Sequence, residues 1–209
     1  MKLYDCTAAP SPRRVRIFIA EKGMQIPFEQ VDLANGQHLS PEYQAINPLC
    51  TVPALELDDG THIIETSAIC RYLESVQPDP PLFGVDAKDQ ARVTQWYMRV
   101  ENDGFLAVAE SFRNKVGGLK GRALTGPHGY AQIPELVERG RLRAERFFTV
   151  LDERLADNPF VAGERFSAAD INAMVAVDFA ERAKFDVKSK HANLRRWHET
   201  VAARPSARA

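Results

Sequence analysis

The apolar positions of the chain change their period several times between Met1 and Gln77, and each change predicts an element. Lys2 to Asp5 is a short strand candidate. Val15, Phe18, Ile19 and Lys22 then follow helical spacing. Ser11-Pro12 ahead of them reads as an N-cap with proline at the first helical position, and Gly23 as the stop. Phe28 to Leu33 predicts a second strand. After a polar stretch, Pro53 to Leu57 and His62 to Glu65 flank Asp58-Asp59-Gly60, a hairpin signal. Ile69, Tyr72, Leu73 and Val76 recur at i, i+3, i+4 and i+7, so a helix follows the hairpin directly. The order is β-α-β, a break, then β-β-α.

Strand signals then stop. The stretch PDPP, Pro78 to Pro81, punctuates the chain at that point. Beyond Gly84, Val93, Trp96, Tyr97 and Val100 mark one helix, and a long helix is expected from about Pro134 to Asp157. Further helices are expected from Ser167 and from Ala192 to Ala203. Between them, the loop from Gly117 to Gly129 lacks a GK[ST] phosphate motif and reads as a mobile flap. The pattern predicts an α/β domain over residues 1–77, a linker over 78–85 and an all-α domain over 86–209.

Composition narrows the function. With 44 % apolar and 26 % charged residues among 209, the chain has the make-up of a soluble globular protein. A net charge of −1 gives no basic footprint for nucleic acid. The arginines at 13, 14 and 16 and at 139, 141, 143 and 146 alternate with apolar residues and read as solvated helix faces. Cys6, Cys50 and Cys70 are far apart, which argues against a disulfide framework, and the five histidines have no metal-ligand spacing. No apolar run approaches the ~18 residues of a membrane span, and no secretory pattern opens the sequence. A reducing cytoplasm is the expected compartment.

Two short stretches carry candidate chemistry. Val52-Pro53 begins a predicted strand, and the plain reading is a strand-initiating proline. The alternative is a cis bond, found at ~5–6 % of such sites, that exposes the Val52 backbone for strand addition by an extended peptide. In Glu65-Thr66-Ser67 a strand ends and a helix begins. Thr66 or Ser67 would cap that helix, while its free N–H groups could bind a carboxylate and Glu65 an amine. An α-amino acid head group offers both charges.

Taken together, "LYD…PRRVRIFIAEKG…NPLCTVPAL…DDGT…ETSAICRYLE", with FVAGERFSAADI near the C-terminus, resembles the cytosolic glutathione transferase superfamily over nearly the whole chain. It looks closest to the theta-like bacterial branches. The resemblance implies a thioredoxin-like α/β domain followed by an all-helical domain, a homodimer, and glutathione as co-substrate. It implies conjugation of the glutathione thiolate to a small hydrophobic electrophile. The alternatives are a glutathione-dependent peroxidase or thiol reductase, and a non-catalytic glutathione-binding module. Val52 and Pro53 match the element that pairs with the cysteinyl unit, and Glu65 and Thr66 match the pair that holds the γ-glutamyl head. His38 matches a basic position that reaches the glycine carboxylate; its other reading is a solvated loop histidine. Ser167 to Asp170 matches a capping box. On the first helix of the second domain, Met98, Glu101, Asn102 and Phe105 form a stripe that lines the acceptor pocket, a dimer contact, or only solvent.

Two departures from the family pattern matter. Cys50 and Thr51 stand where Gly and Gln usually precede the Val-Pro element. The position of the usual thiol-activating serine, or reactive cysteine, falls on Ala9. A thiol of pKa ~8.5 is only about 3 % thiolate at pH 7, so something must replace that side chain. Ser11 is the nearest hydroxyl and the catalytic candidate, with Thr7 or a backbone N–H of the loop in reserve. Cys6 reads as a small buried hydrophobe.

Overall fold

The computed structural model describes residues 1–209, which form two compact units: Met1–Pro80 with Leu124–Gly129 and Ala209, and Pro81–Ala123 with Tyr130–Arg208. No helix is long and apolar enough to cross a membrane.

The first unit is a thioredoxin-like α/β fold. Its elements are β1 (Lys2–Asp5), α1 (Pro10–Glu21), β2 (Phe28–Gln30), α2 (Pro41–Ile46), β3 (Ala54–Glu56), β4 (His62–Ile64) and α3 (Thr66–Val76). The sheet order is β2-β1-β3-β4, with β1 parallel to β2 and the other neighbours antiparallel. Successive residues of a strand point to opposite faces. Leu3 and Leu55 are fully buried along with Val15, Phe18, Ile69 and Leu73 of α1 and α3. Tyr4 and Ala54 instead join Val31, just after β2, and Tyr43 of α2 in a second cluster. A sheet covered on both faces explains why β1 scarcely alternates.

The hairpin forms as the Asp58-Asp59-Gly60 signal requires: Leu57 N–H donates to Thr61 O at 2.8 Å and Gly60 N–H to Leu57 O at 3.0 Å. Helix α2 was hidden in the polar stretch. Its signal is Ser40-Pro41, where the Ser40 hydroxyl accepts from Tyr43 N–H at 3.2 Å and proline occupies the first turn. Two expected caps are corrected. Helix α1 starts at Pro10 with Ala9 as its N-cap, so Ser11 lies inside the first turn. Helix α3 is capped by Glu65, which puts Thr66 and Ser67 in its first turn.

The arginines near the N-terminus are also corrected. Arg14 and Arg16 are 4 % and 6 % exposed. Arg16 pairs with the buried Asp5 carboxylate at 2.5 Å, and a charge that far from water needs such a partner. The second cluster, on a long helix of the second unit, is solvated; Arg141 pairs there with Glu138 and Glu145 on the same helix.

The second unit contains α4 (Ala87–Arg99), α5 (Leu106–Lys115), α6 (Pro134–Ala156), α7 (Ala168–Arg182) and α8 (Ala192–Ala202). Helix α7 is buried along most of its length, from Ala168 to Val177. Its first turn is held by the Ser167–Asp170 capping box. Asp170 Oδ2 accepts from the Ser167 N–H and hydroxyl at 2.9 and 3.0 Å. Its Oδ1 accepts from Val161 N–H at 2.8 Å and from Trp197 Nε1 of α8 at 2.9 Å. Helices α5 and α6 come close at Gly140, where an added Cβ would sit 2.7 Å from the Ala107 carbonyl oxygen.

A π-helical turn, Val100–Phe105, joins α4 to α5. Its extra residue per turn rotates everything after it relative to an i, i+3, i+4, i+7 stripe. Phe105 therefore leaves the face of Met98 and Asn102. It is buried, its ring 5.5 Å from that of Phe179. Met98 and Asn102 are exposed. The glycine-rich loop is tied at its base, because Arg113 donates to the carbonyls of Ala123 and Arg122 at 3.1 and 2.6 Å.

Candidate functional site

The strand directions gather the candidate residues at one end of the sheet. In the register Tyr4 opposes Ala54 and Ala54 opposes Ile64. The chain therefore leaves β1 into the TAAPSPRR loop, enters β3 from Val52-Pro53 and leaves β4 at Glu65, all at the same end. The N-termini of α1 and α3 meet there. Helix starts carry free N–H groups and positive potential, so this end is suited to anionic groups.

The loop after β1 is fixed by a polar network. Asp5 Oδ1 takes Arg16 and Oδ2 accepts from Gln30 Nε2 at 2.6 Å. Gln30 Oε1 in turn accepts from the Thr7 N–H and hydroxyl at 3.0 and 2.9 Å. The Thr7 hydroxyl proton is thereby spent on Gln30. Ala9 N–H donates to Cys6 O at 2.9 Å, and Pro10 and Pro12 have no N–H. The Ser11 N–H is left as the one unused backbone donor of the first turn of α1.

The Ser11 hydroxyl has the opposite status to that of Thr7. It accepts from Arg14 Nη2 at 3.1 Å, so its own proton remains available to donate. The same Arg14 nitrogen lies 3.5 Å from Thr66 Oγ1, which links the starts of α1 and α3 through one buried cation. Sequence reasoning missed Arg14, because an arginine between apolar residues resembles any solvated helix face. Cys6 is half-buried rather than buried, and Cys70 is an inert thiol that burial pushes up to about 12.

The Val52-Pro53 bond is cis, and no hydrogen bond within the protein engages the Val52 backbone. The turn before it is held by Asn47, a fully buried side chain. Asn47 Nδ2 donates to Thr51 O at 2.7 Å and to Thr51 Oγ1 at 3.0 Å, and its Oδ1 accepts from Leu49 N–H at 2.9 Å. Tyr43 OH donates to the same Thr51 carbonyl at 2.7 Å. Thr51, which replaces the usual glutamine, is thus turned inward. Cys50 adopts φ +52 to complete the turn. Sequence reasoning did not single out Asn47, whose partners lie in the turn that it holds.

Glu65 has φ +77, a backbone conformation costly for a residue with a Cβ, and its side chain is exposed. Thr66 is 7 % exposed. His38 sits in a 3₁₀ turn (Gln37–Leu39) and is 5 % exposed, so the reading as a solvated loop histidine is set aside. The arrangement offers an open backbone edge, an exposed carboxylate beside a helix N-terminus, and a hydroxyl polarised by a guanidinium.

Residues 8–76 match the family model described as glutathione S-transferase, N-terminal domain, and residues 122–205 match glutathione S-transferase, C-terminal domain. A solved glutathione S-transferase domain-containing protein from Marinobacter aquaeolei VT8 is 40 % identical, with 99 % of each chain covered and a TM-score of 0.91. Glutathione S-transferase 2 of Saccharomyces cerevisiae is 35 % identical over 99 % of this chain and 87 % of its own. The disulfide-bond oxidoreductase YfcG of Escherichia coli is 26 % identical over 98 % of this chain and 92 % of its own.

Proposed function

The chain belongs to the glutathione S-transferase family, whose co-substrate is glutathione, and from that premise we propose that it transfers the glutathione thiolate to a small hydrophobic electrophile. The observation that carries the reading is the Ser11 hydroxyl held as a donor by Arg14, where the usual activating position is Ala9. Lowering a thiol pKa by two units takes roughly 2.7 kcal/mol of preferential stabilisation of the anion. A hydroxyl strengthened by a neighbouring cation, the Ser11 N–H and the α1 N-terminus together are of that order.

In this reading the Val52 N–H and C=O pair with the cysteinyl unit, and Pro53 sets that edge. Glu65 takes the γ-glutamyl ammonium, Thr66 and the first N–H groups of α3 take its carboxylate, and His38 reaches the glycine carboxylate. Residues 1–77 serve as the glutathione-binding domain and the helical residues 86–209 supply the acceptor pocket, with Met98 and Asn102 as its candidates. The functional form is a cytoplasmic homodimer. Steady-state turnover of an aromatic electrophile, compared with reduction of an organic peroxide, tests the chemistry; glutathione binding without either turnover leaves a binding module. The relative named as a disulfide-bond oxidoreductase supports one second reading, thiol–disulfide exchange, in which bound glutathione supplies the thiol because Ala9 cannot.

A further inference from the structure

A cleft of about 590 Å³ opens in the helical unit, well within the range of small-molecule sites. It is lined from α4 by Lys88, Arg92, Gln95 and Trp96, from the end of α6 by Arg154 and Asn158, and from the turn at 162–165. None of these residues enters the conjugation chemistry.

Its charges are unevenly satisfied. Asp89 is taken by Arg165 at 2.5 Å, and Asp86 caps α4 by accepting from Asp89 N–H at 2.9 Å. Lys88 and Arg92 make no ion pair, and Glu164 is the lining carboxylate without a partner. Arg154 is held in place from two sides. Its Nε donates to Val161 O at 3.1 Å, and its guanidinium lies 5.4 Å from the centre of the Trp96 ring, on which Arg99 also stacks at 4.7 Å. The terminal nitrogens of Arg154 remain unpaired. Burial and the nearby Arg92 charge lower the Arg154 pKa from its ordinary value, so two guanidiniums share one volume with no carboxylate paired to either. An oxyanion would relieve that repulsion.

We propose that this cleft binds a phosphorylated small molecule of nucleotide size, with Arg92 and Arg154 holding the phosphate oxygens and Lys88 adding charge. Guanidinium forks fit phosphate oxygens in pairs, and two of them with an ammonium match a multiply charged anion better than a monocarboxylate. The volume exceeds what a bare phosphate fills. Trp96, Gln95 and Asn158 offer apolar and amide surface to an organic body, while Glu164 and Asp86 oppose a ligand that is anionic along its whole length.

Calorimetry on the full chain with ADP, adenosine and inorganic pyrophosphate tests this. ADP should bind with a Kd below about 1 mM, and adenosine should not bind detectably. Arg92→Gln and Arg154→Gln should each weaken ADP at least about tenfold, as should raised salt, with the circular dichroism spectrum and conjugation turnover unchanged. Arg92 is exposed, so its variant keeps the test sound even if Arg154→Gln folds poorly. Pyrophosphate should bind more weakly than ADP, and equal affinity overturns the role given to the organic body. ADP that binds no better than adenosine, or that binds Arg92→Gln and the double variant like the parent, overturns the site.

Discussion

Arg14 Nη2 donates to the Ser11 hydroxyl at 3.1 Å, one turn along the same helix. The cation beside the oxygen makes the Ser11 O–H a stronger donor. Ser11→Ala keeps the backbone N–H and should raise the pKa of bound glutathione by about one unit, the worth of one hydrogen bond to a charged group. Arg14→Met should shift it the same way with Ser11 intact. Thiolate ultraviolet absorbance across pH reads both. If both titrate like the parent, the hydroxyl has no part in activation.

Glu65 combines an exposed carboxylate with φ +77. Glu65→Ala should weaken glutathione binding by about 1–3 kcal/mol in calorimetry. Glu65→Gly should lose the same affinity and yet be more stable than the alanine variant by about 1 kcal/mol, because glycine accepts that conformation freely. Equal stability of the two would remove backbone strain from the account.

Asp170 has four donors on one buried carboxyl, more than a capping box alone uses. Asp170→Ala should therefore cost more than the ~1 kcal/mol of a lost cap, since it strands Val161 N–H and Trp197 Nε1 as well. Turnover per folded molecule should not change. Denaturant titration and a specific-activity assay separate the two quantities.

The same carboxyl predicts a pH dependence. Burial is the main cause that pushes its pKa from 3.8 to about 6, with the four donors limiting the rise. The folded chain thus holds this proton more tightly than the unfolded chain. The stability it contributes is fully present below about pH 4 and is lost as pH rises through about 6. Asp170→Asn should flatten the stability profile across that window by roughly 3 kcal/mol. An unchanged slope in that variant would place the titration elsewhere.

Lys22 is a further fold residue, with its ammonium fully buried among Glu74 at 2.5 Å, Pro78 O at 3.1 Å and Pro80 O at 2.6 Å. Lys22→Met would take the ammonium away from the Glu74 carboxylate and from the two proline carbonyls, so a loss of about 3–5 kcal/mol is expected from a urea titration. A near-neutral result would mean that water reaches Glu74 in the variant.

What was legible in the sequence was local. Asp58-Asp59-Gly60 between apolar runs predicts its hairpin without outside help, as does the Ser167–Asp170 cap. Residues whose role depends on a distant partner were misread. Arg16 is buried because Asp5, eleven positions away, waits at the end of β1. Phe105 follows the period of α4 on paper, yet the π turn at Val100–Phe105 carries it into the core. Val52-Pro53 and Glu65-Thr66 each offer candidate chemistry from their own residues, but only the resemblance to a known pattern joins them; the strand register then explains why they share one end of the sheet.

Asn47 has a consequence for how a ligand would be received. Its side chain and the Tyr43 hydroxyl fasten the turn before Val52 from inside the protein. The open backbone edge therefore keeps its shape when empty, and an incoming peptide meets a rigid template rather than a loop it must first freeze. Little conformational entropy should be lost on the protein side, so affinity there follows how well the ligand itself is pre-shaped as an extended chain.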